Sequence, residues 1–160
     1  MKYTYMDSPL GRLLLAGNDD GLQLIGFPEG KMVIQPEPDW IESRKIFHAA
    51  IRQLRAYFAG ELHEFDLPLA PEGTPFQRSV WSKLREIPYG ETISYGELAT
   101  RVGNPKASRA VGMANGRNPL PIVVPCHRVI GSSGKLTGFG GGLPAKQLLL
   151  ELERKQGALP

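Results

Sequence analysis

Apolar positions in the first thirty residues fall in short runs, Tyr3–Tyr5, Leu13–Ala16 and Leu22–Phe27, each too brief for a helix. Turn formers separate them at Ser8-Pro9-Leu10-Gly11 and Asn18-Asp19-Asp20-Gly21, so the pattern predicts an antiparallel meander. The period then changes. Phe47, Ile51, Leu54 and Phe58 recur at helical spacing, and Gly60 ends the predicted helix. Phe65-Asp66-Leu67-Pro68-Leu69 reads as an edge strand or extended linker, because its proline is excluded from a central strand. A boundary falls near Pro71-Glu72-Gly73, dividing the chain into residues 1–73 and 74–160. The first part carries no recognisable chemistry, and its apolar residues are read as core.

The second part begins helically. Thr74-Pro75-Phe76-Gln77 joins a capping threonine, proline at the first helical position and glutamine at the third. Phe76, Val80, Trp81, Leu84 and Ile87 supply one buried face before Pro88-Tyr89-Gly90 ends it. Ser94-Tyr95-Gly96-Glu97 is a second capping box, opening a short helix that Gly103 closes. Asn104-Pro105 turns the chain, and Lys106 to Asn115 forms the next helix. Two short helices around a tight turn match a helix-turn-helix, although packed helical pairs of other kinds share the pattern. The fold class expected is α+β: an N-terminal antiparallel sheet with a helix, then a mostly helical part containing the helix-turn-helix.

Charge sharpens this division. Residues 1–73 carry 7 Lys/Arg against 11 Asp/Glu, and residues 74–160 carry 12 against 5. A basic half on an acidic half suits a polyanionic partner, or only a solvated surface. The second helix of the pair offers few long polar side chains for reading bases; Arg109 is its one long cation mid-helix. Small residues there suit close approach to the backbone or a narrow groove, with little sequence preference.

At 160 residues, with 41% hydrophobic and 22% charged positions, the chain is long enough to bury a proper core. No apolar run reaches spanning length, and Met1-Lys2-Tyr3-Thr4 opens into a strand-like pattern instead of a signal peptide. One cysteine forms no internal disulfide, which suits a reducing cytoplasm. Cys126, His48, His63 and His127 give no cysteine-rich ligand spacing, so no metal is expected.

That cysteine stands in Pro125-Cys126-His127-Arg128-Val129, after the strand-like run Ile122-Val123-Val124. Cationic neighbours lower a thiol's pKa, and the thiolate is the nucleophile; a buried, inert cysteine is the alternative. Its surroundings, Asn118-Pro119-Leu120-Pro121 upstream and Gly138-Phe139-Gly140-Gly141-Gly142 downstream, favour the nucleophile.

Ser94-Tyr95, Arg109-Ala110-Val111-Gly112, Asn118-Pro119, the cysteine pentapeptide and Gly141-Gly142 resemble the O6-alkylguanine-DNA alkyltransferases, in that family's order. The resemblance covers residues 74 to about 155 strongly and the first half only in layout. It implies direct-reversal repair, in which the alkyl group of O6-alkylguanine, or O4-alkylthymine, moves irreversibly to Cys126. His127 would take the thiol proton through a bound water, with Glu153 orienting it. On local grounds alone Glu153 reads first as a helix-surface carboxylate, and Asn118, the implied bridge to the cysteine turn, is equally a turn residue. Tyr95, otherwise a core aromatic, would relieve charge at guanine N3, and N–H groups near Gly140 would meet O6. Carbonyls of Cys126 and Val129 would accept from the amino group. The base must be flipped out, with Arg109 filling the stack, while Arg128 braces the fold.

The implied partner is double-stranded DNA carrying alkylated guanine, bound through the minor groove by a monomer, with cooperativity left open. Ser94, Tyr95, Lys106, Arg109, Ala110, Gly112 and Asn115 form the implied DNA-facing set. Tyr95, Met113, Val129, Phe139 and Gly140 form the implied substrate pocket. Family members usually carry tyrosine at Phe139, and many carry serine or alanine at Gly140; glycine is expected to widen the loop. The thioether product is not reversed by cellular thiols, so each molecule acts once. No cofactor is implied. The closest rival is a non-catalytic lesion-binding alkyltransferase-like protein, which lacks the acceptor cysteine. A transcription factor fits poorly with the base-reading content, and a cysteine hydrolase draws its histidine from elsewhere in the chain.

Overall fold

The computed structural model describes residues 1–157. Strands β1 (Lys2–Ser8), β2 (Gly11–Asn18) and β3 (Gly21–Gly26) form the expected antiparallel meander. A two-residue strand, β4 (Ile41–Glu42), adds in parallel to β1, giving the order β3-β2-β1-β4. The sheet is therefore mixed at that edge, and two residues are too few to leave a periodic signal. Residues 65–69 run extended and touch the sheet through one bridge, Leu22 with Leu69.

Helix α1 (His48–Phe58) buries Ala50, Ile51, Leu54 and Tyr57. The periodicity assigned its last core position to Phe58, which is only half-buried; Tyr57 is the residue that turns inward. A polar partner, described below, makes burial of the Tyr57 hydroxyl affordable.

Helix α2 (Pro75–Leu84) starts as its sequence dictates. Thr74 Oγ1 accepts from Gln77 N at 3.1 Å, and Gln77 Oε1 accepts from Thr74 N at 3.0 Å. Val80, Trp81 and Leu84 are buried, but Phe76 is exposed, because the first turn projects past the core. Helix α3 (Tyr95–Val102) is capped by Ser94, whose hydroxyl accepts from Glu97 N. Glu97 does not return the bond; it pairs instead with Arg101 at 3.1 Å. Gly103, at φ 93°, ends α3 in the left-handed region. Helix α4 (Ser108–Gly116) begins two residues later than expected, because Ala107 N bonds back to Asn104 O and holds 104–107 in a turn.

Two short strands, β5 (Ile93–Ser94) and β6 (Val129–Ile130), pair in parallel. They bring the start of α3 beside the segment that follows the cysteine. Trp81 Nε1 donates to Ala114 O at 2.8 Å, tying α2 to α4. Helix α5 (Leu143–Gly157) closes the described chain.

One apolar cluster runs through both halves, from Leu13, Leu15, Ile25 and Leu54 to Leu84, Leu98, Leu120 and Leu149. Each such side chain, withdrawn from water, contributes about 1.5–3 kcal/mol. Backbone bonds cross as well: Ile25 N donates to Pro119 O, and Met32 N to Gly140 O. Among the described residues, no helix is long and apolar enough to cross a membrane.

Candidate active site

The run Ile122-Val123-Val124 is not a strand. Residues 119–124 form consecutive bends and turns, and Ile122 sits at φ 76°. The run is apolar because it is buried, and Val124 N donates back to Leu120 O at 2.8 Å, a turn bond and not a ladder bond. A left-handed backbone is costly for a β-branched residue, so other contacts must hold it. Asn118 supplies them. Its Nδ2 donates to Val124 O at 2.7 Å, and its Oδ1 accepts from Leu120 N at 3.0 Å. Its own N–H reaches Asn115 O at the end of α4, so one asparagine joins that helix to the cysteine turn.

Cys126, His127 and Arg128 then make a single 3-10 turn with all three side chains buried. Two of them meet Glu153 of α5. His127 Nε2 lies 2.6 Å from Glu153 Oε2, and Arg128 Nε donates to Oε1 at 2.8 Å. Arg128 also donates to Oε2 at 3.1 Å, and to Ile87 O. Tyr57 OH donates to Oε2 at 2.6 Å, and Gly90 N to Oε1 at 3.1 Å. Burial alone would raise the pKa of Glu153, but His127 and Arg128 outweigh it and hold the carboxyl far below its ordinary range. Glu153 is thus an ionised, fully partnered carboxylate inside the protein, and its surface reading is excluded. Arg128 braces the fold, as expected.

His127 is completely buried, and burial holds its pKa below the ordinary value despite the opposing carboxylate. The ring is neutral near pH 7, with its Nε2–H donating to the Glu153 carboxylate. Among the described residues its Nδ1 has no partner, so a basic lone pair stays free.

The pKa of Cys126 corrects the expectation from its neighbours. Burial pushes the thiol up to about 11, against a hydrogen bond from Asn118 and the charge of Lys146. Arg128 is committed to Glu153 and Ile87. The resting protein therefore holds a protonated thiol. A base must remove its proton during reaction, and the Nδ1 of His127 is the neighbouring candidate in the same turn.

A cavity of about 340 Å³ is lined by Tyr95, Gly112, Asn115, Thr137, Phe139 and Gly140, among others. Tyr95 OH bonds Thr137 Oγ1 at 2.6 Å, and Gly112 lies against the Tyr95 ring, where a Cβ would be 3.7 Å away. Asn115 was expected on the DNA-facing surface; it is buried in this wall, its Oδ1 without a partner among the described residues. Met113 was expected in the pocket, but it is not among the lining residues and is 60% exposed. Val129 is buried outside the lining, and its carbonyl accepts from Lys146 Nζ at 2.7 Å. Lys106, Arg109 and Ala110 are exposed on and before α4, and Ser94 is half-buried at the α3 cap.

Three residues were invisible to sequence reasoning. Tyr57 belongs to the half read as lacking chemistry. Lys146 is fully buried, its Nζ bridging Val129 O and Thr137 O, and burial lowers its pKa while Cys126 opposes the shift. Lys31, from the loop after β3, reaches the cavity. The described residues contain no cluster of three or more metal-ligating side chains.

Fold and site together define an α+β protein with a buried cysteine in one turn with a carboxylate-bound histidine; Cys126 itself is not among the residues that line the cavity. Comparison with known proteins supplies the family. Residues 1–71 match the family model "6-O-methylguanine DNA methyltransferase, ribonuclease-like domain", and 75–155 match its "DNA binding domain". The methylated-DNA–protein-cysteine methyltransferase of Methanosarcina acetivorans is 59% identical, over 96% of this chain and 98% of its own. That of Mycolicibacterium paratuberculosis is 57% identical, over 97% and 93%. The crystal structure of Mycobacterium tuberculosis OGT in complex with DNA superposes with a TM-score of 0.91 at 52% identity, over 98% of this chain and 94% of that one. The chain belongs to the 6-O-methylguanine DNA methyltransferase family.

Proposed function

We propose that this protein repairs DNA by direct reversal, taking the alkyl group of O6-alkylguanine, and of O4-alkylthymine, onto Cys126 once per molecule. The observation that carries the reading is the saturated Glu153 carboxylate behind a neutral His127 in the same turn as Cys126. That arrangement follows the nucleophile, base and orienting-group logic of a catalytic triad, with sulfur as nucleophile.

The thiol proton passes to His127 Nδ1, directly or through one water, and Glu153 balances the imidazolium. Cys126 Sγ attacks the alkyl carbon, an S–C bond forms, and the C–O6 bond breaks with its electron pair on guanine. Asn118 and Lys146 stabilise the developing thiolate. Tyr95 donates toward guanine N3, backbone N–H groups near Gly140 face O6, and the proton held by His127 ends on the departing guanine, which leaves neutral. The product is S-alkylcysteine and unmodified guanine.

In this reading residues 74–160 carry DNA binding and the acceptor, and residues 1–73 support them. The α3–α4 pair acts as a helix-turn-helix that meets the minor groove, a reading supported by the exposure of Lys106, Arg109 and Ala110. Arg109 fills the gap left by the flipped nucleotide. The protein works as a monomer on double-stranded DNA in the cytoplasm, without a cofactor. The non-catalytic alternative is disfavoured, because a lesion-binding role alone gives no reason for a base-assisted thiol.

The test is intact mass after mixing with a duplex carrying one O6-methylguanine, with Cys126→Ala as control. A gain of one methyl group per chain, absent in the control, supports transfer. Tight lesion binding without a mass gain overturns it.

A further inference from the structure

We propose that the turn after β3 is a wall-setting element of the lesion pocket, in which Met32 fixes the Gly140 backbone and limits alkyl-group size. The inference rests on the proposed function and assigns a positioning role to the half of the chain that sequence reading left without chemistry.

The turn and the glycine loop are built against each other. Phe27 N donates to Met32 O at 2.8 Å, which closes the turn, and Met32 N donates to Gly140 O at 2.8 Å, which pins the loop. The Phe27 and Phe139 rings pack 5.4 Å apart. Gly30, at φ 92°, approaches so closely that a Cβ there would lie 2.4 Å from Gly140 O.

Gly140 is the point of tightest fit. A Cβ on it would stand 2.1 Å from Met32 Cγ and 3.0 Å from Met32 Cβ. Glycine does not widen the loop here, as the sequence suggested; the space is already filled by Met32. Met32 lies outside the cavity lining, whereas Gly140 and Phe139 are part of it. Met32 therefore acts through the wall without touching the base. Its Cγ sits one bond from Cβ, so relieving a collision would require a change of χ1 or a shift of the turn. A short side chain at 32 frees volume behind Gly140 and lets the wall retreat. A side chain at 140 drives the wall and Met32 apart unless Met32 is shortened too.

The experiment measures single-turnover transfer to Cys126 from duplexes carrying O6-methylguanine or O6-benzylguanine. Wild type, Met32→Ala, Gly140→Ala and the double variant are compared, with thermal unfolding of each. Pocket changes of a few methyl groups alter discrimination by about tenfold or more, so Met32→Ala should raise the benzyl-to-methyl rate ratio by about tenfold. Gly140→Ala should slow both substrates, and adding Met32→Ala should recover the methyl rate. A purely structural role lowers the unfolding temperature without moving the ratio. An unchanged ratio in Met32→Ala, or a double variant no faster than Gly140→Ala, overturns the inference while methyl transfer by wild type stands. Absence of methyl transfer in wild type instead overturns the proposed function, and the inference falls with it.

Discussion

Replacing His127 by glutamine tests whether the Cys126 proton leaves through the imidazole. Glutamine keeps an N–H for Glu153 Oε2, which lies 2.6 Å from His127 Nε2, and it offers no base. With the thiol at about 11, roughly one molecule in ten thousand holds a free thiolate near pH 7. In wild type the reactive pair is a thiol with a neutral histidine, and burial of His127 keeps that pair fully populated above its lowered pKa. The transfer rate should therefore be flat from about pH 7 to about pH 9. In His127→Gln the rate must follow the free thiolate, climbing about tenfold per pH unit across the same interval. Near pH 7 the variant should be slower by about 10²–10⁴, the range for losing a positioned general base. The assay is quenched single-turnover reaction with an O6-methylguanine duplex, read by intact mass, with urea unfolding to establish that the variant is folded. A wild-type rate that itself climbs about tenfold per unit, or a variant within about threefold of wild type near pH 7, would refute this proton route.

Glu153→Gln leaves Arg128 buried without its anion and should cost about 3–5 kcal/mol in urea unfolding, with loss of transfer in the same preparation. The pH dependence of stability has a defined sign. His127 has a depressed pKa, so its contribution is present above about pH 6.5 and is lost on acidification; Glu153, also depressed, contributes above about pH 4.3 and weakens below it. Wild type should lose stability through both windows, and Glu153→Gln should lack the lower one. Tyr57→Phe removes one hydrogen bond to a charged group and should lower stability by about 1.5–3 kcal/mol, measurable as a shift in urea midpoint; no shift would mean the hydroxyl is not a partner of Glu153. Asn118→Ala strands the Val124 carbonyl and the Leu120 N–H, each costing about 1–3 kcal/mol, and should slow methyl transfer as the cysteine turn loosens. A variant as stable and as fast as wild type would remove Asn118 from the site.

Short-range physics was written in the chain. The meander follows from alternating runs and turn residues a few positions apart, and the α2 start follows from Thr74 and Gln77, which exchange bonds three residues apart. Gly103 ends α3 because only the local backbone decides whether φ turns positive there. The pentapeptide at Cys126 was legible for the same reason, since its residues are neighbours in sequence.

Tertiary structure decided what depends on distant partners. Glu153 and Tyr57 are 96 residues apart, and no periodicity distinguishes Glu153 from Glu151, which is exposed. Burial of Ile122-Val123-Val124 imitates a strand, because an apolar run reports exclusion from water and says nothing of backbone pairing. The thiol's pKa depends on its burial, on Asn118 and on Lys146 from α5, so the basic neighbour in sequence, Arg128, gave the wrong sign. Met32 and Gly140 face each other across the two halves, where shape complementarity is set by the packed chain alone. Sequence determined the meander, the starts and stops of its helices and the cysteine's neighbours in the chain. Packing determined the thiol's charge, the partners of His127 and the wall of the cavity, because desolvation and steric fit arise only when remote segments share one interior.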